Sequence, residues 1–249
     1  MRHKDTKVTS VGGLLDALKK QAPDGRAVWF RGQSVSDWKL VPSLARQKKH
    51  LAAEAALRKR FMQNAVPHLE RIPTEEWEWM FMMQHHRAPT RLLDWSESPL
   101  AALYFAVSEN KHIKKDAAVW CLDPIALNVE ARVTGFKDAR EIPSFGIDKV
   151  LNSYLPSYVD ESPTVMSTVA IMGARNTARM AAQLGVFTVN HREHTPIEAI
   201  GAGNHAWRWV IPAGAKNDLG KELALLGFTA LTLFPELDRV ADMAKELLQ

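Results

Sequence analysis

Arg26-Ala27-Val28-Trp29-Phe30-Arg31-Gly32 is an apolar, β-prone run that meets an arginine and a glycine. The pattern predicts a strand over Arg26 to Arg31. An unpaired buried ion is strongly penalised, so a strand of this kind needs a partner for its charge. Gly32 lets a backbone or a ligand approach closely. The partner of Arg31 is either another side chain, with Asp94 the candidate, or a bound anion.

The remaining elements read outward from this strand. Val11 to Lys20 predicts a helix with Leu14, Leu15 and Leu18 on one side. Pro42-Ser43 is a break, and Lys49 to Val66 reads as one charged amphipathic helix. Thr74 is the expected N-cap of a helix through Trp77, Met80, Phe81 and Gln84, with Glu75 and Glu76 in its first turn. That helix ends near His86, because Ala88-Pro89 disfavours continuation. Ser98-Pro99 starts an apolar helix to Val107, since serine caps and proline fits the first turn.

Ala117 to Leu122 predicts a strand ended by Asp123-Pro124. Residues 124 to 175 contain short helical pieces. Arg175 to Ala182 reads as a helix, and Gly185 to Val189 and Trp207 to Ile211 as strands, the last by its apolar–polar alternation. Lys216 to Leu226 is helical, Thr229 to Phe234 is β-like, and Pro235 to Leu248 is a closing helix. Helices and strands mix without a βαβ rhythm. The expected class is therefore α+β, a single mixed domain over 1–249 with a small central antiparallel or mixed sheet surrounded by helices.

Composition sets the limits on function. The 249 residues carry 46% hydrophobic and 24% charged residues and a net charge of +4. These values suit a soluble globular chain with a mild preference for anionic partners, nucleotides or nucleic acid. The lone Cys121 cannot form an internal disulfide, fits a reducing cytoplasm, and reads as a buried core thiol. No run approaches 18 apolar residues, so no membrane partner is expected. Nothing in the sequence fixes the oligomeric state.

The densest polar cluster is Gln84-His85-His86-Arg87-Ala88-Pro89-Thr90-Arg91-Leu92-Leu93-Asp94-Trp95. His85 with Asp94 suggests acid–base chemistry on a nucleotide or nucleic acid. Adjacent helical histidines point about 100° apart, so His85-His86 is a poor metal pair and no metal is expected. Arg91 and Asp94 read equally well as an ion pair locking a loop. Gln183 sits at a helix-to-strand junction and serves either as a loop hydrogen-bonder or as a group over the sheet edge. His191 and His194 read as solvated loop residues. No phosphate-binding glycine loop, nucleophile elbow or paired-cysteine motif occurs, which argues against kinase, dehydrogenase, serine hydrolase and zinc-finger functions.

The residues resemble the FRG domain family. The resemblance rests on Phe30-Arg31-Gly32-Gln33, Trp38 and Pro42-Ser43-Leu44, then Gln84-His85-His86 and Pro89-Thr90-Arg91-Leu92-Leu93-Asp94-Trp95. It continues through Ala101 to Ala106, Arg179, Gln183 to Phe187 and Leu233 to Asp238, and so spans about residue 8 to the end. It implies a bacterial or phage-borne cytoplasmic protein in a toxin or phage-defence setting, without an assigned activity.

A weaker similarity is to the ADP-ribosyltransferase superfamily, which implies a related fold and NAD as substrate. Arg31, Ser96 and Gln183 occur in that superfamily's motif order. The similarity implies that Arg31, with Gly32 and Arg91, holds the NAD phosphate or ribose. It implies that Ser96 orients Arg31 or a ribose hydroxyl, that Trp95 or Tyr104 covers the nicotinamide, and that Gln183 bonds the ribose. Many active transferases carry glutamate where this chain has Gln183. The implied alternatives are therefore a shifted reaction, or a non-catalytic sensor or interaction module.

Overall fold

A computed structural model of the protein describes residues 1–22, 25–132, 141–192 and 195–245. The chain runs β1 (Thr6–Lys7), α1 (Val11–Gln21), β2 (Trp29–Gln33), α2 (Lys48–Ala52), α3 (Glu54–Ala65) and α4 (Glu76–His85). It continues β3 (Leu92–Ser96), α5 (Pro99–Val107), β4 (Ala117–Leu122), α6 (Pro124–Glu130), α7 (Pro156–Glu161) and β5 (Val169–Ile171). The last part holds α8 (Ala178–Ala182), β6 (Gly185–Val189), β7 (Ala206–Ile211), α9 (Lys216–Leu225), α10 (Ala230–Leu233) and α11 (Leu237–Lys245).

The seven strands form one mixed sheet in the order β1-β7-β4-β2-β3-β6-β5, flanked by helices, as the α+β reading expects. Only β1 with β7 is parallel within it. β4 lies inside the sheet and every one of its residues is buried, which is why Ala117-Ala118-Val119-Trp120-Cys121-Leu122 is continuously apolar. Cys121 is a buried core thiol, and burial pushes it well above the usual thiol range. Trp207, Trp209 and Ile211 of β7 point into a core shared with α1, α5 and α9, while Arg208 and Val210 are only partly covered. The other face of the sheet packs Trp29, Leu93, Trp95 and Trp120.

The helix signals act as local chemistry predicts. Ser98 Oγ accepts from Ala101 N at 3.2 Å and Pro99 occupies the first helical turn of α5. The α4 cap is Glu75 rather than Thr74, because Glu75 and Glu78 form a reciprocal capping box. The long helix expected over Lys49 to Val66 divides at Ala53 into α2 and α3. The helix expected from Arg175 begins at Ala178, where Thr177 Oγ1 accepts from Met180 N at 3.2 Å.

Thr229 to Phe234 is helical rather than β-like. Thr229 and Thr232 cap one another and start α10. The closing helix begins at Leu237, and its expected end at Leu248 lies outside the described residues. The first motif strand also shifts. It opens at Trp29 and runs past Arg31 to Gln33, so Arg31 is a mid-strand residue.

Candidate functional site

β2 and β3 share one registered pair, Phe30 with Ser96, whereas β2 and β4 pair along all five residues of β2. A cleft of about 410 Å³ opens along the β2–β3 junction. Arg31 and Gln33 come from β2, and Asp94, Trp95 and Ser96 from β3. His85 comes from the end of α4, and Gln183 from the junction of α8 and β6. Leu184, at φ 46°, turns the chain sharply there and sets Gln183 at the edge of the cleft.

Arg31 Nη1 donates to the backbone carbonyl of Asp94 at 2.5 Å. The Asp94 carboxylate is farther away, at 4.0 Å, and is more than half exposed. Arg31 Nε is buried and has no acceptor among the described residues. Burial pulls the Arg31 guanidinium below its ordinary range, opposed by Asp94 and reinforced by Arg46. Of the two expected partners, Asp94 applies in part: Arg31 is tied to it through the main chain, with the carboxylate 4.0 Å away. A buried cationic donor without an acceptor favours an anionic oxygen.

Gly32 faces α5. A Cβ there would lie 2.7 Å from Ala106 N and closer still to the Ala102 carbonyl. The close backbone approach that its glycine permits is therefore a helix seated on the sheet, beside the cleft that Gly32 also lines.

Several sequence assignments change at this point. Arg91 is not in the cleft and does not pair with Asp94. It is 4% exposed, and its Nε donates to both Glu54 carboxylate oxygens at 2.8 Å. Its guanidinium also reaches the His191 carbonyl, so its donors are committed to the core. Asp94 instead accepts from Gln84 Nε2 at 2.6 Å, and Gln84 in turn accepts from Thr90.

Tyr104 packs against the α1–α9 core and does not line the cleft; its neighbour Phe105 does. Ser96 does not orient Arg31. Its hydroxyl donates to the Gln183 carbonyl at 2.6 Å and accepts from Ser98 N at 2.9 Å. The Gln183 side chain donates to the Leu233 carbonyl at 2.9 Å. His191 is buried rather than solvated, and His194 lies outside the described residues.

His85 lines the cleft without a hydrogen bond to Asp94 among the described residues. Burial lowers its pKa, with His86 and Arg179 acting in the same direction and Glu236 opposing them. His85 is therefore neutral near pH 7.

Three lining residues carry no motif in the sequence: Arg46, Ser34 and Glu109. They are isolated polar residues that only the tertiary fold brings to one place. With Arg31, Arg87 and Arg179, the cleft holds four arginines against the two carboxylates of Asp94 and Glu109, a net positive lining. Trp38, Phe81, Phe105 and Phe187 add aromatic surface. Such a cleft suits an anion that also carries flat rings. Among the described residues, no group of three or more His, Cys, Asp or Glu could hold a metal ion, and no helix is long and apolar enough to cross a membrane.

Residues 26–115 match the family model described as the FRG domain. The matched segment runs from just before β2 to just before β4. It includes Arg31, Arg46, Asp94, Ser96 and Glu109 and leaves Gln183 outside. No curated protein and no solved structure matches the chain significantly.

Proposed function

We propose that the cleft binds NAD, and that the chain is an ADP-ribosyltransferase-like effector acting at the bond between nicotinamide and ribose. The observation that carries this reading is the convergence of Arg31, Ser96 and Gln183, from three separate elements, on one net-positive cleft with aromatic walls. The volume falls within the range of small-molecule sites, roughly 300–1,000 Å³. Arg31 and Arg46 line the cleft and offer guanidinium charge to a phosphate, and the aromatic walls offer faces to the adenine and nicotinamide rings. The Gln183 amide nitrogen is held by Leu233, which leaves its side-chain oxygen to accept from a ribose hydroxyl. A protein or nucleic-acid acceptor fits the net-positive mouth, and a toxin or phage-defence role fits an NAD-consuming effector.

The test is calorimetric titration with NAD followed by assay of nicotinamide release. Wild type binds and releases nicotinamide, and Arg31→Ala loses both while keeping its circular dichroism spectrum. A folded wild type that binds no NAD refutes the reading.

One observation favours a second reading, a ligand sensor without turnover. The Ser96 hydroxyl and the Gln183 amide are already engaged in backbone bonds. NAD binding without nicotinamide release selects this reading.

A further inference from the structure

The cleft contains two carboxylates, and they are held differently. Asp94 receives Gln84 Nε2 at 2.6 Å, and its backbone carries Arg31, so it belongs to the support of the β2–β3 junction. Glu109 lies just after α5. It receives Ser34 Oγ at 2.5 Å and pairs with Lys111 Nζ at 2.9 Å, and its side chain remains 39% exposed. These hydrogen bonds and cations hold its carboxyl below the usual carboxylate range, so it is ionised at neutral pH.

The backbone around Glu109 is fixed from beneath. Lys216, 1% exposed, donates through Nζ to the Ser34 carbonyl at 2.9 Å and to the His112 carbonyl at 2.8 Å. One buried ammonium thus ties down both the loop that bears Ser34 and the turn that follows Glu109. Burying an ammonium is costly unless its hydrogen bonds are satisfied. Here the two carbonyl acceptors offset that cost, and the ammonium in return fixes the backbone on either side of the Ser34–Glu109 contact.

Cleavage of an N-glycosidic bond passes through a cationic, oxocarbenium-like sugar. A fixed carboxylate stabilises such a centre, and a neutral amide does so much less. Gln183 therefore leaves that role open.

We infer that Glu109 is the catalytic carboxylate of this cleft: it accepts a hydrogen bond from a hydroxyl of the ribose attached to nicotinamide and stabilises the sugar cation as that bond breaks. This rests on the NAD reading above. The C1′–N bond breaks with its electron pair leaving on the nicotinamide nitrogen. A C1′–O bond forms to water or to an acceptor hydroxyl, whose proton passes to solvent. Glu109 stays ionised throughout. Ser34 and Lys216 are positioning residues.

The experiment compares wild type, Glu109→Gln, Glu109→Asp and Ser34→Ala by NAD calorimetry and steady-state nicotinamide release. Glu109→Gln is near-isosteric and keeps the fold. It lowers kcat by roughly 100-fold, with the NAD dissociation constant within about twofold of wild type. Glu109→Asp restores part of the rate. Ser34→Ala removes a hydrogen bond that favours the ionised carboxylate, so the acid limb of its kcat–pH profile moves to higher pH.

A Glu109→Gln enzyme with turnover within about threefold of wild type overturns the assignment and leaves the NAD reading standing. A wild type that binds NAD without releasing nicotinamide overturns the catalytic role of Glu109 and selects the sensor. A wild type that binds no NAD overturns both.

Discussion

Arg31 Nη1 lies 2.5 Å from the carbonyl oxygen of Asp94, at the junction where β2 and β3 share one registered pair. A main-chain carbonyl on the β2-facing side of β3 needs a donor, and a guanidinium from the neighbouring strand supplies it. The same residue lines the cleft, and its Nε is buried without an acceptor among the described residues. Arg31 therefore has a structural role, and substitution can separate it from the anion-binding role proposed above.

Arg31→Lys keeps a cation but removes the planar fork that serves two directions at once. The expected outcome is a stability loss of about 1–2 kcal/mol in urea denaturation, from the weakened carbonyl bond. Anion binding should weaken by about tenfold or more, since only one of the two tasks can be met. A variant that keeps full NAD affinity would show that the Arg31 guanidinium is not the anion donor.

Gly32→Ala tests the seat of α5. The added Cβ would meet the main chain of Ala102 and Ala106, and helix backbone cannot rotate away as a flexible side chain can. Overpacking of this kind costs typically about 1–3 kcal/mol, and backbone contacts place this case at the upper end. Thermal unfolding should show a lower midpoint with a loss of α5 protection in hydrogen exchange. A neutral result would mean that α5 is loosely seated.

Glu54→Gln addresses the buried pair with Arg91. Removing one charge leaves a guanidinium in the core with only the His191 carbonyl and a neutral amide. Breaking a buried pair from one side costs about 3–5 kcal/mol. The double variant Glu54→Leu with Arg91→Met should recover much of that loss, because neither charge is then stranded. Urea midpoints for the two single variants and the double close the cycle. If the double is no better than the singles, the pair fixes the position of α3 through more than charge.

The parts of this molecule that sequence made legible are those whose cause is local. The buried run of β4, the alternation in β7 and the Ser98-Pro99 start of α5 are each written in adjacent residues. β1 and β5 are two and three residues long, too short for a period to register. Thr229 to Phe234 reads as β-like, yet the reciprocal Thr229–Thr232 cap starts a helix. In the site, Arg31, Ser96 and Gln183 were marked by motif order. The partner of Arg91 lies on α3, far along the chain, and a nearer carboxylate, Asp94, drew the sequence assignment instead. Ser34 and Glu109 meet only because β2 and α5 lie against each other, a juxtaposition without a local signature.

Acid should destabilise the fold. His85, His191 and His205 each have pKa values lowered chiefly by burial, so the folded chain binds these protons less readily than the unfolded chain. The unfolded state then binds more protons below the ordinary histidine value of about 6.5, and stability falls as pH drops through that region. Glu78 and Glu109 have lowered pKa values in the fold. Their contribution is present above the ordinary carboxylate range, about pH 4, and is lost as pH falls through the lower folded values. Both effects have the same sign. The urea midpoint should be lower at pH 5.5 than at pH 7.5, and a flat profile would contradict the lowered pKa values of the three histidines.

Gln183→Glu separates two roles that meet at one side chain. The Gln183 amide donates to the Leu233 carbonyl, and a carboxylate has no proton to donate. The new charge would instead face a carbonyl oxygen, so the contact becomes repulsive. Leu233 is followed by Phe234, whose ring lies under the Arg179 guanidinium at 4.7 Å and meets Phe105 edge to face, with ring centres 5.7 Å apart. Glu236 lies 3.8 Å from Arg179. The segment from Leu233 to Glu236 thus holds three cleft-lining side chains, Gln183, Arg179 and Phe105. Losing its first anchor should raise amide exchange from residue 230 onward while leaving the β4 amides unchanged. If Glu109 supplies the catalytic carboxylate, Gln183→Glu does not raise kcat for nicotinamide release, because the loosened wall offsets any added charge. A variant that gains turnover by tenfold or more would move the catalytic role from Glu109 to position 183.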